Sequence, residues 1–318
     1  MKNERLNKRE QVFQIILRNR EAFNRILMRV FSDKPTYRRS FLEKQNGMYD
    51  LIQSFPNIAL RLEEESFGTI ENWLERSEKD LEVCKRSFDS GDTENSIYNL
   101  QQSLEKLAKS YALYFGLFTE CDLRPEVGHL PVKIYIKLLE EEWISKATGF
   151  FGLKSDPLHD LKVLKPFSRM TPEARQEILN MDRDIPFFLK LNKNITRSLR
   201  KSTSERETRE LINMMKPYGN IKNFFQVMFE FASVVMPLSV ITSVHESLTR
   251  YPDELRKSGI VYKETQIVKN LQEIMNLLKD NMKRFRDLIR DNKEKAINWE
   301  NADLGQMEAE IKRLSGGM

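Results

Sequence analysis

The sequence predicts an all-α protein, and three observations carry that expectation. Strand signals are scarce. Glycine is low, at 12 of 318 residues. Apolar residues recur three or four apart through one stretch after another, as they do where one face of a helix is buried. A chain of this length buries a sizeable core without difficulty, as one large domain or two ordinary ones. We find no internal repeat.

Taken in order, Glu10 to Phe31 reads as a basic amphipathic helix, with Val12, Ile16, Phe23, Ile26, Leu27 and Val30 on one face and Arg18, Arg20, Arg25 and Arg29 around the rest. Pro35 breaks it, because proline has no amide hydrogen and disfavours helix at the preceding residue. A second piece covers 39–54 and ends at Pro56. Residues 1–66 form an accessory basic region by this reading. The next helix spans about 69–89, with Ile70, Trp73, Leu74, Leu81, Cys84 and Phe88 on or near one face. Gly91 stops it, and Asp92 or Thr93 caps the succeeding helix.

That succeeding helix, Asn95 to Gly116, is the stretch around which the chain is organised. Ile97, Leu100, Leu104, Leu107, Tyr111 and Tyr114 make its apolar stripe. Gln101, Glu105 and Lys109 run beside that stripe, four apart, with Gln102 and Lys106 next to them. This polar ridge reads either as a solvated face steadied by Glu105 and Lys109 pairing or as a functional one. The very short turn makes the two helices an antiparallel hairpin. A third helix starts near Pro131, with Val132, Ile134, Tyr135, Leu138, Leu139 and Trp143 inward.

Residues 147–220 open with Gly149 and Gly152 and hold short helices at about 173–181, 185–199 and 204–215. Helices at 220–235 and 238–248 are separated near Pro237. The break Thr249-Arg250-Tyr251-Pro252-Asp253 precedes a long helix over 263–292, whose seam is Ile267, Leu271, Ile274, Leu278, Met282, Phe285 and Ile289. The tail holds one short helix at 304–314.

Charge is uneven. The net +5 is mild for the length, yet residues 1–44 hold twelve basic residues against five acidic, and 187–222 hold nine against three. Such segments suit phosphate or an acidic partner, or else are ordinary solvated faces. Two cysteines, Cys84 and Cys121, give neither a disulfide framework nor a zinc spacing, which points to a reducing cytoplasm. The N-terminal residues lack the apolar core of a signal peptide. The most apolar stretch, Phe224 to Thr242, is interrupted by Glu230 and Pro237 and reads as buried helix, with no membrane span.

The order of pieces resembles the HEPN family of prokaryotic helical-bundle domains. The matching residues are WLERSEKDLEVCKRSFDSGD, then IYNLQQSLEKLAKSYALYFG with its paired glutamines, Glu-Lys and further lysine, then Gly128-His129-Leu130-Pro131 at the start of the third helix. The Arg250-Tyr251-Pro252 segment and the closing helix complete the series. His159-Asp160-Leu161 is similar to the same family start as His129, which we prefer because the family's link is short. The resemblance covers about 67–146 and 238–292. It implies an up-and-down HEPN-like bundle over 67–292 with a large helical insertion at 147–237, a tail at 293–318, and a homodimer. It also implies binding of nucleotide or RNA, and a nucleotidyltransferase-type partner in a toxin–antitoxin or defence setting.

Some family members are metal-independent ribonucleases, with an arginine followed after four to six residues by histidine. Residues 254–257, after Arg250, contain no histidine. Arg124 and His129 fit the spacing as a string, but in the link before the third helix. A histidine there moves a ribose proton while arginine stabilises the phosphate, or it simply caps a helix. His245, just before Arg250, is a second catalytic candidate or a packing residue. For binding, Arg250 and Tyr251 suit phosphate and base, with Lys106, Lys109 and Gln102 adding polar contacts, or Arg250 and Tyr251 secure the junction into the last helix.

Other chemistries find no footing: there is no Gly-rich phosphate loop, no paired histidines for a metal and no GxSxG. No cofactor is expected. Cys84 belongs to a core. Three readings therefore stand: a nucleotide- or RNA-associated binding module, a metal-independent ribonuclease, and a non-catalytic adaptor that recruits an acidic protein through its basic helices.

Overall fold

Two helices, α1 over Glu64–Asp89 and α2 over Thr93–Tyr114, form the expected antiparallel hairpin. The computed structural model describes residues 64–129, 131, 133–134, 137, 180–204, 221–250, 261–299, 305 and 309. The expected helices at 10–31 and 39–54, His159 and Tyr251 lie outside the described residues, as do most of 204–215 and of the tail. Among the described residues every regular element is helical and there is no strand.

α1 begins five residues before the expected Thr69, because Gly68 meets nothing within 4 Å and costs a helix only about 1 kcal/mol. Small residues set how closely the hairpin packs. Ser77 Oγ donates to the Ser103 carbonyl at 2.7 Å, and Ser110 Oγ to the Ile70 carbonyl at 2.8 Å. The turn needs Gly91, whose φ of 81° lies in the left-handed region. Asp92 then caps α2 by accepting from the Asn95 amide at 3.2 Å. All six residues of the α2 stripe are buried.

The described part of the chain resumes with a 3-10 turn, Met181–Asp184, and α3, Ile185–Ser204. Helices α4, Ile221–Glu230, and α5, Met236–Arg250, come next. The sequence predicts a break near Pro237, but α4 and α5 form one continuous rod through a π-helical turn, Phe231–Val235. The wider turn ends just before the proline: the Met236 amide bonds to the Phe231 carbonyl, five residues back, and Pro237 itself has no amide to place in an α-helical ladder.

After a 3-10 turn at Tyr262–Glu264 and a short helix at Gln266–Lys269, α6 runs from Leu271 to Trp299. Asp182 caps the short helix from a distance, its two carboxylate oxygens accepting from the Gln266 and Ile267 amides at 2.6 and 2.9 Å. All seven residues of the predicted seam from Ile267 to Ile289 are buried. Arg286 pairs with Glu78 and Lys293 with Glu71, so α6 runs opposite to α1.

Phe231 stacks on Tyr111 at 4.4 Å near the end of α2, which brings the α4–α5 rod onto that helix. α1, α2, the rod and α6 thus make an up-and-down bundle around one core. α3 packs across the π turn and α4 through Ile185, Phe188 and Leu189. Among the described residues no helix is long and apolar enough to cross a membrane.

Candidate functional site

Gln101, Glu105 and Lys109 lie one helical turn apart, so their side chains share one side of α2. All three residues are buried, Glu105 at 3% exposure, so this side of α2 is not a solvated face. Glu105 is the centre. Its Oε2 accepts from Gln101 Nε2 at 3.2 Å and its Oε1 from Lys109 Nζ at 2.7 Å. Gln102 Nε2 donates in turn to Gln101 Oε1 at 2.6 Å. Lys109 Nζ also stands 5.1 Å from the centroid of the Trp73 ring on α1, which faces the ammonium with its electron-rich side.

The third partner of Glu105 comes from the link after α2. His129 Nδ1 lies 3.2 and 3.3 Å from the two carboxylate oxygens. A short helix, Glu120–Asp122, and a π-helical turn, Leu123–Val127, lead to it, with Thr119 and Asp122 forming a capping box at the start. The Thr119 hydroxyl and amide both donate to the Asp122 carboxylate, which holds that carboxyl below its ordinary range. Leu123 and Val127 are buried and anchor the link. Gly128 then reverses the chain, with φ 57° and its amide bonded to the Leu123 carbonyl at 3.0 Å. That reversal sets His129 over Glu105.

The side chain of His129 is 66% exposed while that of Glu105 is 4% exposed. A buried carboxylate thus presents an imidazole at the surface. With Nδ1 held against Glu105, Nε2 is the atom left to trade a proton or bond a ligand. Arg124 is exposed on the same link. The arrangement has the parts of a general acid–base site and equally those of a nucleotide contact.

The remaining predicted residues fall elsewhere. Lys106 is paired with Asp80 across the hairpin. His245 is buried on α5, with Nδ1 3.4 Å from the Tyr262 hydroxyl and Nε2 without a hydrogen-bond partner among the described residues. Burial pushes its pKa down to about 4 and that of Tyr262 well above its usual value. Arg250 is the last residue of α5.

Two features escaped the sequence. The first is Trp73, read as part of an apolar face, whose ring meets Lys109 of the ridge. The second is a buried network at the start of the π turn. Glu230 accepts from Asn281 Nδ2 at 2.9 Å, from Arg284 Nε at 3.0 Å and from Gln226 Nε2 at 3.1 Å. These partners lie mostly on α6, which no local pattern reveals. Among the described residues no group of three or more histidine, cysteine, aspartate or glutamate side chains is placed to hold a metal ion.

Residues 70–150 match the family model of the HEPN domain. The matched stretch contains every member of the Glu105 cluster. No curated protein and no solved structure matches the chain.

Proposed function

We propose that this chain is a nucleotide- or RNA-associated binding module whose ligand meets it at His129. One observation carries the reading: a buried, fully engaged carboxylate, Glu105, holds an exposed imidazole in place inside the HEPN-matched stretch. Burying Glu105 and Lys109 together costs desolvation that a purely structural helix avoids with apolar residues of similar size. The arrangement is accounted for when it positions His129 for an anionic or hydrogen-bonding ligand. Calorimetric titration of the full chain with AMP and with short single-stranded RNA at low salt tests it. Binding that weakens about tenfold in His129→Ala and in Glu105→Gln is the expected result. Absence of binding to either ligand overturns the reading.

A toxin–antitoxin or defence setting with a nucleotidyltransferase-type partner, and a homodimer, stem from the family resemblance and belong to the same proposal. Co-purification with the product of an adjacent gene and a solution mass measurement test them.

A second reading is favoured by Arg124 and His129 standing exposed on one link, with Glu105 behind the imidazole. In a metal-independent ribonuclease, His129 accepts the ribose 2′-hydroxyl proton and Arg124 stabilises the pentavalent phosphate. RNA cleavage in chelator that disappears in Arg124→Ala and His129→Ala supports it. Cleavage that persists in both rejects it.

A further inference from the structure

We infer that the outward face of α3 is a contact surface for single-stranded RNA, in which Lys190 and Arg197 follow the phosphates and Phe187 stacks on a base. The inference rests on the nucleic-acid reading above and adds a second surface, outside the stretch that the HEPN model matches.

The two sides of α3 differ sharply. Ile185, Phe188, Leu189 and Asn192 are buried against the bundle, while Phe187, Lys190, Lys193, Asn194 and Arg197 are exposed. Phe187, Lys190, Asn194 and Arg197 are three or four apart, so they form one stripe that extends about 15 Å along the axis. Phe187 is 55% exposed, a large apolar residue at the head of a cationic row.

α3 itself supplies no acid to the row, and the nearest one along the chain, Asp184, is exposed one turn before Phe187. The 20 residues of α3 include five basic and no acidic residues, IPFFLKLNKNITRSLRKSTS. Lys193 pairs with Glu273 at 2.7 Å, whereas Lys190 and Arg197 form no ion pair among the described residues. Lys190 and Arg197 stand two turns apart, about 10 Å along the axis, a spacing that a polyanion backbone can follow.

The exposed aromatic ring selects among polyanions. A flat ring beside cations suits an unpaired base, because stacking on an aromatic side chain tolerates any sequence. A membrane surface requires an apolar helical face turned outward, whereas Ile185, Phe188 and Leu189 turn inward here.

Fluorescence anisotropy of the full chain with labelled oligouridine of about 20 nucleotides, over a salt series, tests the inference. Lys190→Glu combined with Arg197→Glu is expected to weaken binding at least about tenfold and to lower the slope of log K against log salt by about 1.4. Phe187→Ala is expected to weaken binding roughly fivefold or more with the slope unchanged. Because these positions are exposed, urea melts of the variants should match the parent, which separates lost binding from lost fold.

Parental binding in both α3 variants, with His129→Ala impaired, overturns the inference and leaves the module reading intact. Loss in the α3 variants alone keeps this surface and removes the His129 site. No binding by the parent at low salt removes both. A duplex RNA bound as tightly as oligouridine also overturns the single-strand assignment.

Discussion

The Tyr111 hydroxyl donates to Asn281 Oδ1 at 2.8 Å, joining α2 to α6 across 170 residues of sequence. The Tyr111 ring lies between Phe231 and Phe285, stacked on each at 4.4 and 4.1 Å. Burial and the neighbouring Glu230 charge push the phenol well above its ordinary pKa, so it remains a donor. Asn281 passes the bond on to Glu230, and three helical elements meet at one polar chain inside the core.

That chain gives the first prediction. Tyr111→Phe keeps the stacked ring and removes one hydrogen bond, for a loss of about 1–2 kcal/mol. Glu230→Ala leaves Arg284 and Asn281 without their acceptor and costs about 3–5 kcal/mol. In a double-mutant cycle by urea unfolding, Tyr111→Phe and Asn281→Ala are expected to couple by at least about 0.5 kcal/mol.

Glu105 gives the second. Glu105→Ala strands the ammonium of Lys109 in a buried place and is expected to cost about 3–5 kcal/mol. Adding Lys109→Met should restore part of that loss, because the unpaired charge is then gone. Urea melts of the single and double variants report this, and a double variant no more stable than Glu105→Ala contradicts the assigned pairing.

Gly128 gives the third. Its added Cβ would meet only the Arg124 carbonyl, at 3.8 Å, so the cost of Gly128→Ala is conformational, about 1–3 kcal/mol for a side chain forced to φ 57° and ψ −122°. The imidazole resonances of His129 should shift in the NMR spectrum as the residue moves off Glu105, while those of His245 stay in place.

His245 gives the fourth, and its sign comes from linkage. Burial holds the folded-state pKa near 4, below the ordinary value of 6.5. Between those values the unfolded chain binds the extra proton, so stability is lost as pH falls from about 6.5 to 4. The loss attributable to His245 is at most about 3 kcal/mol. Its Nδ1 faces the Tyr262 hydroxyl, whose own pKa is raised by burial and by the Glu94 charge. Unfolding curves at several pH values for the parent and His245→Phe check it, the variant showing a shallower dependence in this window.

Cys84 gives the last. It is buried against Met275 and its thiol is pushed up to about 12, whereas Cys121 is exposed. A thiol reagent near pH 8 should therefore label Cys121 promptly and Cys84 only after unfolding.

The apolar periodicities were the legible part of this chain. The α2 stripe and the α6 seam are buried residue for residue, because side-chain spacing alone determines which side of a helix turns inward. The cap at Asp92 and the turn at Gly91 were legible for the same local reason. The polar ridge left two readings open, since its burial depends on Trp73 of α1 against Lys109 and on His129 against Glu105, 24 residues away. Glu230 read as an interruption of an apolar run because its partners lie 51 and 54 residues further on. Pro237 read as a helix break, and the π turn that accommodates it leaves no periodic trace.

That turn also acts as an angular offset. One surplus residue within a helix rotates everything beyond it by about 100° relative to everything before it. Glu230 and His245 lie on opposite sides of the offset, and both point into the core. Deleting a single residue from 231–235 would swing one of these two toward solvent as it kept the other in place, so the length of this segment is as tightly constrained as its composition.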